Sequence, residues 1–481
     1  MKSVTHGSVT VDGRSIGYKA IAGVMVIKND QGEPYTSMSY VAYVKEGVDD
    51  QDNRPITFFY NGGPGSSTVW LHMLAWGPKL VKVGNATLTP PAPWKLVNND
   101  NSLLDATDMV FIDMPGTGFG RIIGKDEGGV GKPDMVWGLD PDAQAFTRFI
   151  VNYITVHDRW NSPKFLFGES YGTTRSAVLA RDLQQQSVAL NGIVLLSAIL
   201  NFDLSVDGPQ GNPGVNISYA TGLPSYAATA WFHNKLPGER PADLPAFLDK
   251  VEQFAMTDYL LAINKIHRLD DAQKKKIAET MHRYTGLPVD YILEADLTVT
   301  GGQFAHELLD KEDSVTGRLD SRYVGPAMDP LSERAHYDPM NSAISAPTVA
   351  LFNAYVRNTL KFGEDMKYRP SVYRMIYGKA GGWDWEHHGR SGTPNVMNDL
   401  AATMVQNPNM NVLLTGGYMD LGTPYYAAEF EMYQLPIPAK LRKNIHMEFF
   451  PSGHMIYLNP KAHKKLHDAT VKFIEANYKK Q

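Results

Sequence analysis

The chain of 481 residues contains no cysteine. That absence excludes disulfides, thiolate nucleophiles, zinc ribbons and Cys-ligated iron–sulfur clusters. An excess of one charge is also lacking. Lys+Arg number 46 against 51 Asp+Glu, a formal net charge of −5, and no basic block interrupts the chain. A nucleic-acid binder needs clustered Lys/Arg for phosphate contacts, so no nucleic-acid partner is expected. Long apolar runs are missing as well. The most apolar candidate, residues 183–202, is interrupted by Gln, Asn and Ser. It cannot span ~30 Å of hydrocarbon, so no membrane partner is expected either. The first residues lack the apolar core of a signal peptide. What remains is 43% hydrophobic and 20% charged, too apolar for a disordered polypeptide.

The hydrophobic pattern changes along the chain. Residues 8–19, 24–28 and 37–45 alternate apolar and polar, broken by Asp12-Gly13 and Gln31-Gly32. This predicts antiparallel strands joined by hairpins. Short, nearly continuous apolar runs follow at 56–60, 109–112, 164–167, 192–200, 412–415 and 447–450. Such runs fit parallel strands buried on both faces. Helical stretches at 141–156, 174–185 and 398–406 are long enough for crossovers. Together they predict an α/β fold with helices on both faces of a mostly parallel sheet. From 203 to about 390 helical patterns dominate, at 244–264, 270–284, 302–309 and 346–360. They are separated by Pro- and Gly-containing stretches at 208–214, 234–244 and 317–331. The expected organisation is a core of 1–202 and 391–481, with 203–390 as a mainly helical cap insertion.

Sites on parallel sheets lie at the carboxyl ends of the strands. After 164–167 comes Gly168-Glu169-Ser170-Tyr171-Gly172, a G-x-S-x-G between strand and helix. The glycines permit a tight turn that lifts the Ser hydroxyl above the sheet. A nucleophilic Ser needs a base, and the base needs an orienting carboxylate. The run 412–415 leads into Gly416-Gly417-Tyr418-Met419-Asp420, and 447–450 into Pro451-Ser452-Gly453-His454. The order Ser, Asp, His is that of the α/β-hydrolase fold. Asp420 also fits a helix N-cap ahead of 421–430, and both roles can coexist. After 56–60 comes Asn61-Gly62-Gly63-Pro64-Gly65-Ser66-Ser67. Its glycines let backbone N–H groups approach a developing oxyanion.

These segments resemble, in order, the signatures of the serine carboxypeptidase family, most closely its bacterial branch. The glycine motif is 61–67, the nucleophile motif 168–172, a strand-end loop 110–120, the Asp motif 417–424 and the His motif 452–455. The resemblance implies an α/β-hydrolase with Ser170, Asp420 and His454 as catalytic triad. It also implies backbone N–H groups of Gly63 and Tyr171 as oxyanion hole, and Asn61 and Glu169 as binders of the substrate's terminal carboxylate. Glu169 beside a carboxylate must share a proton with it, which favours acid pH. The implied activity is release of C-terminal amino acids through an acyl-enzyme on Ser170, with no cofactor and no metal. A related acyltransferase or esterase is the rival, because two family carboxylate binders are replaced here, a Trp by Phe59 and a Glu by Ala75. Arg121 or Lys79 could supply a compensating charge, although both read first as solvated surface charges. The expected partner is a peptide with a free C-terminus, and the expected state a monomer or homodimer. The expected location is the periplasm or the medium, the signal peptide having been trimmed from this chain, with the cytoplasm as the alternative.

Other patterns are weaker. Gly116–Gly120 lacks the third glycine of a dinucleotide fingerprint, which would fall on Arg121. His306-Glu307 has Asp310 where a zinc helix needs its second His. Glu386-His387-His388 reads as a structural loop before it reads as a metal site. Met404, Met410 and Met419 read as core fillers. Trp383 and Trp385, with Trp231 and Phe232, either line an apolar pocket or pack in the core.

Overall fold

The computed structural model describes residues 1–206, 212–378 and 382–478, so 208–211 of the expected 208–214 connection lie outside the described residues. Three strands, β1 (Lys2–Val11), β2 (Arg14–Lys28) and β3 (Pro34–Lys45), form an antiparallel meander. Asp12 and Gly13 turn between the first two at φ 45° and 76°, as a two-residue hairpin loop requires. Then come β4 (Ile56–Tyr60), a hairpin of β5 (Lys79–Val81) and β6 (Leu96–Asn98), β7 (Asp108–Ile112), β8 (Lys164–Glu169) and β9 (Gly192–Leu196). A second hairpin, β10 (Ser314–Thr316) and β11 (Val324–Pro326), precedes β12 (Asn411–Gly417) and β13 (Ile445–Phe450). Nine strands make the central sheet in the order β1-β2-β3-β7-β4-β8-β9-β12-β13. From β7 to β13 all neighbours run parallel.

Helices α1 (Leu139–Val156) and α2 (Tyr171–Gln185) cross between the first parallel strands. Between β9 and β12 lie α3 (Ile217–Phe232), α4 (Leu244–Phe254), α5 (Leu260–Asn264), α6 (Asp271–Thr285), α7 (Val289–Glu294) and α8 (Gly301–Glu307). They are followed by α9 (Pro339–Asn358), α10 (Tyr373–Ile376) and α11 (Met397–Gln406). The C-terminal helices are α12 (Tyr425–Tyr433) and α13 (Pro460–Ala476). Side-chain caps start several of them. Asp243 accepts from Ala246 N at 3.1 Å and Asp270 from Gln273 N at 2.8 Å, satisfying N–H groups that have no partner within the helix. Among the described residues no helix is long and apolar enough to cross a membrane.

Successive strand residues face opposite sides, and each side has its own core. Phe58, Tyr60, Leu166, Ile193 and Leu195 pack under α1, α2 and α11, against Phe146, Val178 and Leu400. Phe59, Phe165, Phe167, Val194 and Leu196 pack under α9 and α13, against Phe352, Leu466 and Phe473. Strand β13 differs from its expected burial: residues 445–449 alternate between half-buried and exposed because it is a sheet edge, while Phe450 is buried. A third core joins α3, α4, α6 and α8 through Tyr226, Phe247, Met281 and Phe304, and reaches Met419 and Leu421. The segment between β9 and α11 leaves and returns at one place. Phe202 N donates to Pro394 O at 2.9 Å, and Val396 N to Leu200 O at 2.8 Å.

Candidate active site

The turn at the end of β8 is strained. Ser170 has φ 61° and ψ −131°, a region costing roughly 1–3 kcal/mol for a residue with a Cβ. Its flanking glycines are sterically required. A Cβ at Gly168 would lie 2.3 Å from Gly172 O, and one at Gly172 would lie 2.9 Å from Tyr60 O. The glycine loop lies directly on this elbow: a Cβ at Gly62 would meet Tyr171 N at 2.5 Å. Gly63 itself has φ +112°. Leu71 N donates to Asn61 Oδ1 at 3.0 Å and Ser66 N to Gly62 O at 3.2 Å, which hold the loop in place. The N–H of Tyr171 opens helix α2, at the positive end of its dipole.

Asp420 and His454 form a buried pair. His454 Nδ1 donates to Asp420 Oδ2 at 2.7 Å. The bond places a proton on Nδ1 and leaves Nε2 as the basic edge. Asp420 is further held by Gly422 N (2.8 Å) and Thr423 N (3.0 Å) on Oδ1, and by Thr423 Oγ1 (2.8 Å) on Oδ2. Helix α12 begins only at Tyr425 with Pro424 as its N-cap, so Asp420 is not the N-cap that its position suggested. Its carboxylate serves its own loop and His454. Burial pulls the His454 pKa down, but the charge and hydrogen bond of Asp420 outweigh it and carry the pKa above its ordinary value. Glu169 adds to the rise and Arg318 opposes it.

Strand β9 ties the two halves together. Ser170 N donates to Leu196 O at 3.0 Å, and Ser197 Oγ to His454 O at 2.7 Å. Residues 318–321, between β10 and β11, thread between the Asp and His loops. Leu421 N donates to Arg318 O (3.0 Å), His454 N to Leu319 O (2.7 Å) and Ser321 N to Met419 O (3.0 Å). Asp320, paired with Arg322 at 2.6 Å, lies where a Cβ at Gly453 would approach its Cγ to 2.3 Å.

Glu169 precedes Ser170 and is 2% exposed. Asn61 Nδ2 donates to its Oε1 at 2.9 Å, and the Tyr457 hydroxyl to its Oε2 at 2.8 Å. Burial pushes its pKa up to about 7 against the lowering by His454, Tyr457 and Asn61. The two replaced family positions are apolar and internal. Phe59 is stacked between Phe111 at 5.0 Å and Phe167 at 5.2 Å, and Ala75 is fully buried in the turn at Leu71–Trp76.

The structure gathers Asn61, Gly63, Glu169, Ser170, Tyr171, Asp420 and His454 at the carboxyl ends of β4, β8, β12 and β13. It does not recruit Arg121, whose guanidinium is bonded to the carbonyls of Gly118, Gly120 and Lys367. Lys79 lies in the β5–β6 hairpin opposite Asn98. A cation whose charge acts on His454 is Arg318, in a loop without a sequence signature. Tyr457 and Thr423 were also missed: Tyr457 lies two residues past the His motif, and Thr423 lies inside the Asp motif but carries no role there. The aromatic expectation splits. Trp383 and Trp385 pack edge-on against Tyr171, at 5.3 and 6.0 Å. Trp231 and Phe232 pack against the third core instead. Met404, Met410 and Met419 are buried in the cores. Among the described residues one group, Asp140, His387 and His388, brings metal-ligand atoms within 4.8 Å of one another. Both His387 nitrogens are already on carboxylates, Asp140 at 2.6 Å and Asp399 at 2.7 Å. The group is a hydrogen-bonded clasp.

A mostly parallel sheet with a Ser elbow after one strand, and Asp and His on loops after two later strands, defines the α/β-hydrolase class. A family model described as serine carboxypeptidase matches residues 19–297. The chain belongs to the serine carboxypeptidase family. It is 26% identical over 178 residues to the pheromone-processing carboxypeptidase KEX1 of Saccharomyces cerevisiae, a stretch covering 32% of this chain and 23% of that protein. The crystal structure of KEX1(delta)P, a prohormone-processing carboxypeptidase from the same yeast, superposes with a TM-score of 0.56 at 14% identity. That match covers 96% of this chain and 91% of the yeast chain, and shows a shared fold.

Proposed function

We propose that the protein is a serine carboxypeptidase, releasing C-terminal amino acids from peptides through an acyl-enzyme on Ser170. The observation that carries this reading is a buried carboxyl group, Glu169, directly beside the elbow serine and poised to hold a proton near neutrality. Protonated, it donates to the terminal carboxylate of a bound peptide, with the Asn61 amide beside it. His454 takes the Ser170 proton through Nε2 as Oγ attacks the last peptide carbonyl. The N–H groups of Gly63 and Tyr171 receive the developing oxyanion. His454 then protonates the leaving amine, and water attacking the ester, with His454 again as base, frees the enzyme.

Glu169 and His454 titrate as a pair, because each charge favours the other. The productive arrangement has the proton on Glu169 and a neutral His454. An ionised Glu169 with a charged His454 contains the same number of protons. A substrate carboxylate beside Glu169 selects the first. Peptide hydrolysis is thus favoured on the acid side of about pH 7.

Phe59 and Ala75, which offer no donor, favour a second reading: an esterase or acyltransferase of the same family. A matched pair tests the two, an N-blocked dipeptide with a free C-terminus against its methyl ester. Faster cleavage of the free acid at pH 5 supports the carboxypeptidase, and cleavage of the ester alone refutes it. The exported location, in the periplasm or the medium, is part of this proposal. It is tested by the distribution of the activity between cell fractions.

A further inference from the structure

Tyr457 belongs to no motif. It lies in the turn Ile456–Leu458, between His454 and the Asn459 cap of α13. That turn is rigid: Ser452 Oγ donates to Ile456 O at 3.1 Å and Leu458 N to Met455 O at 2.9 Å. The ring is 4% exposed and packs edge-on to His463 at 6.3 Å. Its hydroxyl is delivered to Glu169 Oε2 at 2.8 Å, from the segment that also carries His454.

The direction of each proton in this cluster follows from the bonds. Leu71 N donates to Asn61 Oδ1, so the Asn61 amide must present Nδ2 to Glu169 Oε1. The phenol turns its own proton to Glu169 Oε2. Each carboxyl oxygen of Glu169 thus already accepts one bond. While the phenol donates to Oε2, a proton carried by Glu169 finds no acceptor in Asn61 or Tyr457 and points outward, toward bound substrate; turned inward, it would first require the phenol to reverse.

The geometry points to Tyr457 as the positioning residue for terminal-carboxylate recognition: it aims the acid proton of Glu169 and takes over the supporting role left empty by Phe59 and Ala75. This rests on the carboxypeptidase reading and deepens it. The phenol also donates to ionised Glu169, so removing it raises the Glu169 pKa further. The Tyr457 pKa lies well above its ordinary value through burial and the Glu169 charge, so the phenol stays a donor throughout the working range.

Tyr457→Phe keeps the ring and removes the hydroxyl. On the free-acid dipeptide at pH 5 we expect KM to rise about tenfold with kcat little changed. On the methyl ester, which has no carboxylate to bind, both constants should stay within about twofold. The neutral-side limb of kcat/KM for the free acid should move up by about one pH unit. A role confined to packing would lower both substrates together. An unchanged KM and limb, or equal loss on the ester, overturns the inference. If the unaltered enzyme shows no preference for the free acid, the carboxypeptidase reading fails instead. Tyr457 is then judged by the pH profile of Ser170 labelling with an uncharged fluorophosphonate, which senses the Glu169 charge through His454. An upward shift of that limb in Tyr457→Phe upholds the Tyr457–Glu169 coupling, and an unmoved limb refutes it.

Discussion

Replacing Glu169 by Gln preserves the shape of the group and removes its proton equilibrium. The site can absorb the change. Asn61 Nδ2 still donates to the side-chain oxygen, while the Tyr457 hydroxyl reverses and accepts from the new amide. In the wild type burial raises Glu169 from 4.5 to about 7. That displacement corresponds to about 3 kcal/mol against the charged form in the folded state. The sign follows from the raised pKa. The contribution of Glu169 to stability is whole below about pH 4.5 and is lost as pH rises through about 7. Wild type should therefore lose up to about 3 kcal/mol between pH 5 and pH 9 from this group alone, and Glu169→Gln should not. Urea unfolding of both proteins at the two pH values measures the difference. In kinetics, the amide donates to a substrate carboxylate at any pH, so the rise of KM through neutrality should flatten. Parallel stability profiles for the two proteins, or an undiminished KM limb in the variant, would refute the assignment of that pKa to Glu169.

Ser170→Ala should abolish hydrolysis with little change in unfolding temperature. Ser170→Gly should abolish it and also stabilise by about 1 kcal/mol, because glycine relieves φ 61° at some entropic cost; a Gly variant no more stable than Ala would mean the elbow stores no strain. Thr423→Val removes a hydroxyl from Asp420 and His454, at 2.8 and 3.1 Å. It should lower kcat roughly tenfold at constant KM, and a KM effect alone would contradict the positioning of the pair. The His387 clasp predicts a pH-dependent fold. Asp140 and Asp399 raise His387 to about 9, and Asp399 in turn is lowered to about 2, with His388, Arg181 and Asp182 beside them. The His387 contribution is whole below pH 6.5 and fades through about 9; that of Asp399 is whole above pH 3.8 and is lost toward about 2. His387→Gln should thus be less stable than wild type by about 1–2 kcal/mol at pH 6 and by much less at pH 10, as seen by thermal unfolding.

The parts of the molecule legible in the sequence are those set by local rules. A strand buried on both faces reads as an apolar run, and a strand-end glycine motif reads as a site, so Ser170, Asp420, His454 and the 61–67 loop stand out before any coordinates. Edge strand β13 hides behind the same residue types, since only sheet order shows that it is half exposed. Thr423 lies within the Asp motif and Tyr457 just past the His motif, yet their roles depend on where a hydroxyl proton points. The clasp joins residues 140, 387 and 399, which only the packing of both α1 and α11 on α2 brings together. Trp231 and Trp383 look alike in sequence, and nothing local says that they enter different cores.

Residues 318–321 have a further consequence. They come from the long segment between β9 and α11, yet they furnish the carbonyls on which Leu421 N and His454 N rely, and the Ser321 N–H donates to Met419 O. Excising that segment would strand two amides at the heart of the chemistry. The segment is therefore no detachable lid. Any evolutionary or engineered remodelling of what the protein selects must retain this four-residue splice, and a displacement of the segment by an incoming peptide is felt by the backbone under both the acid and the base.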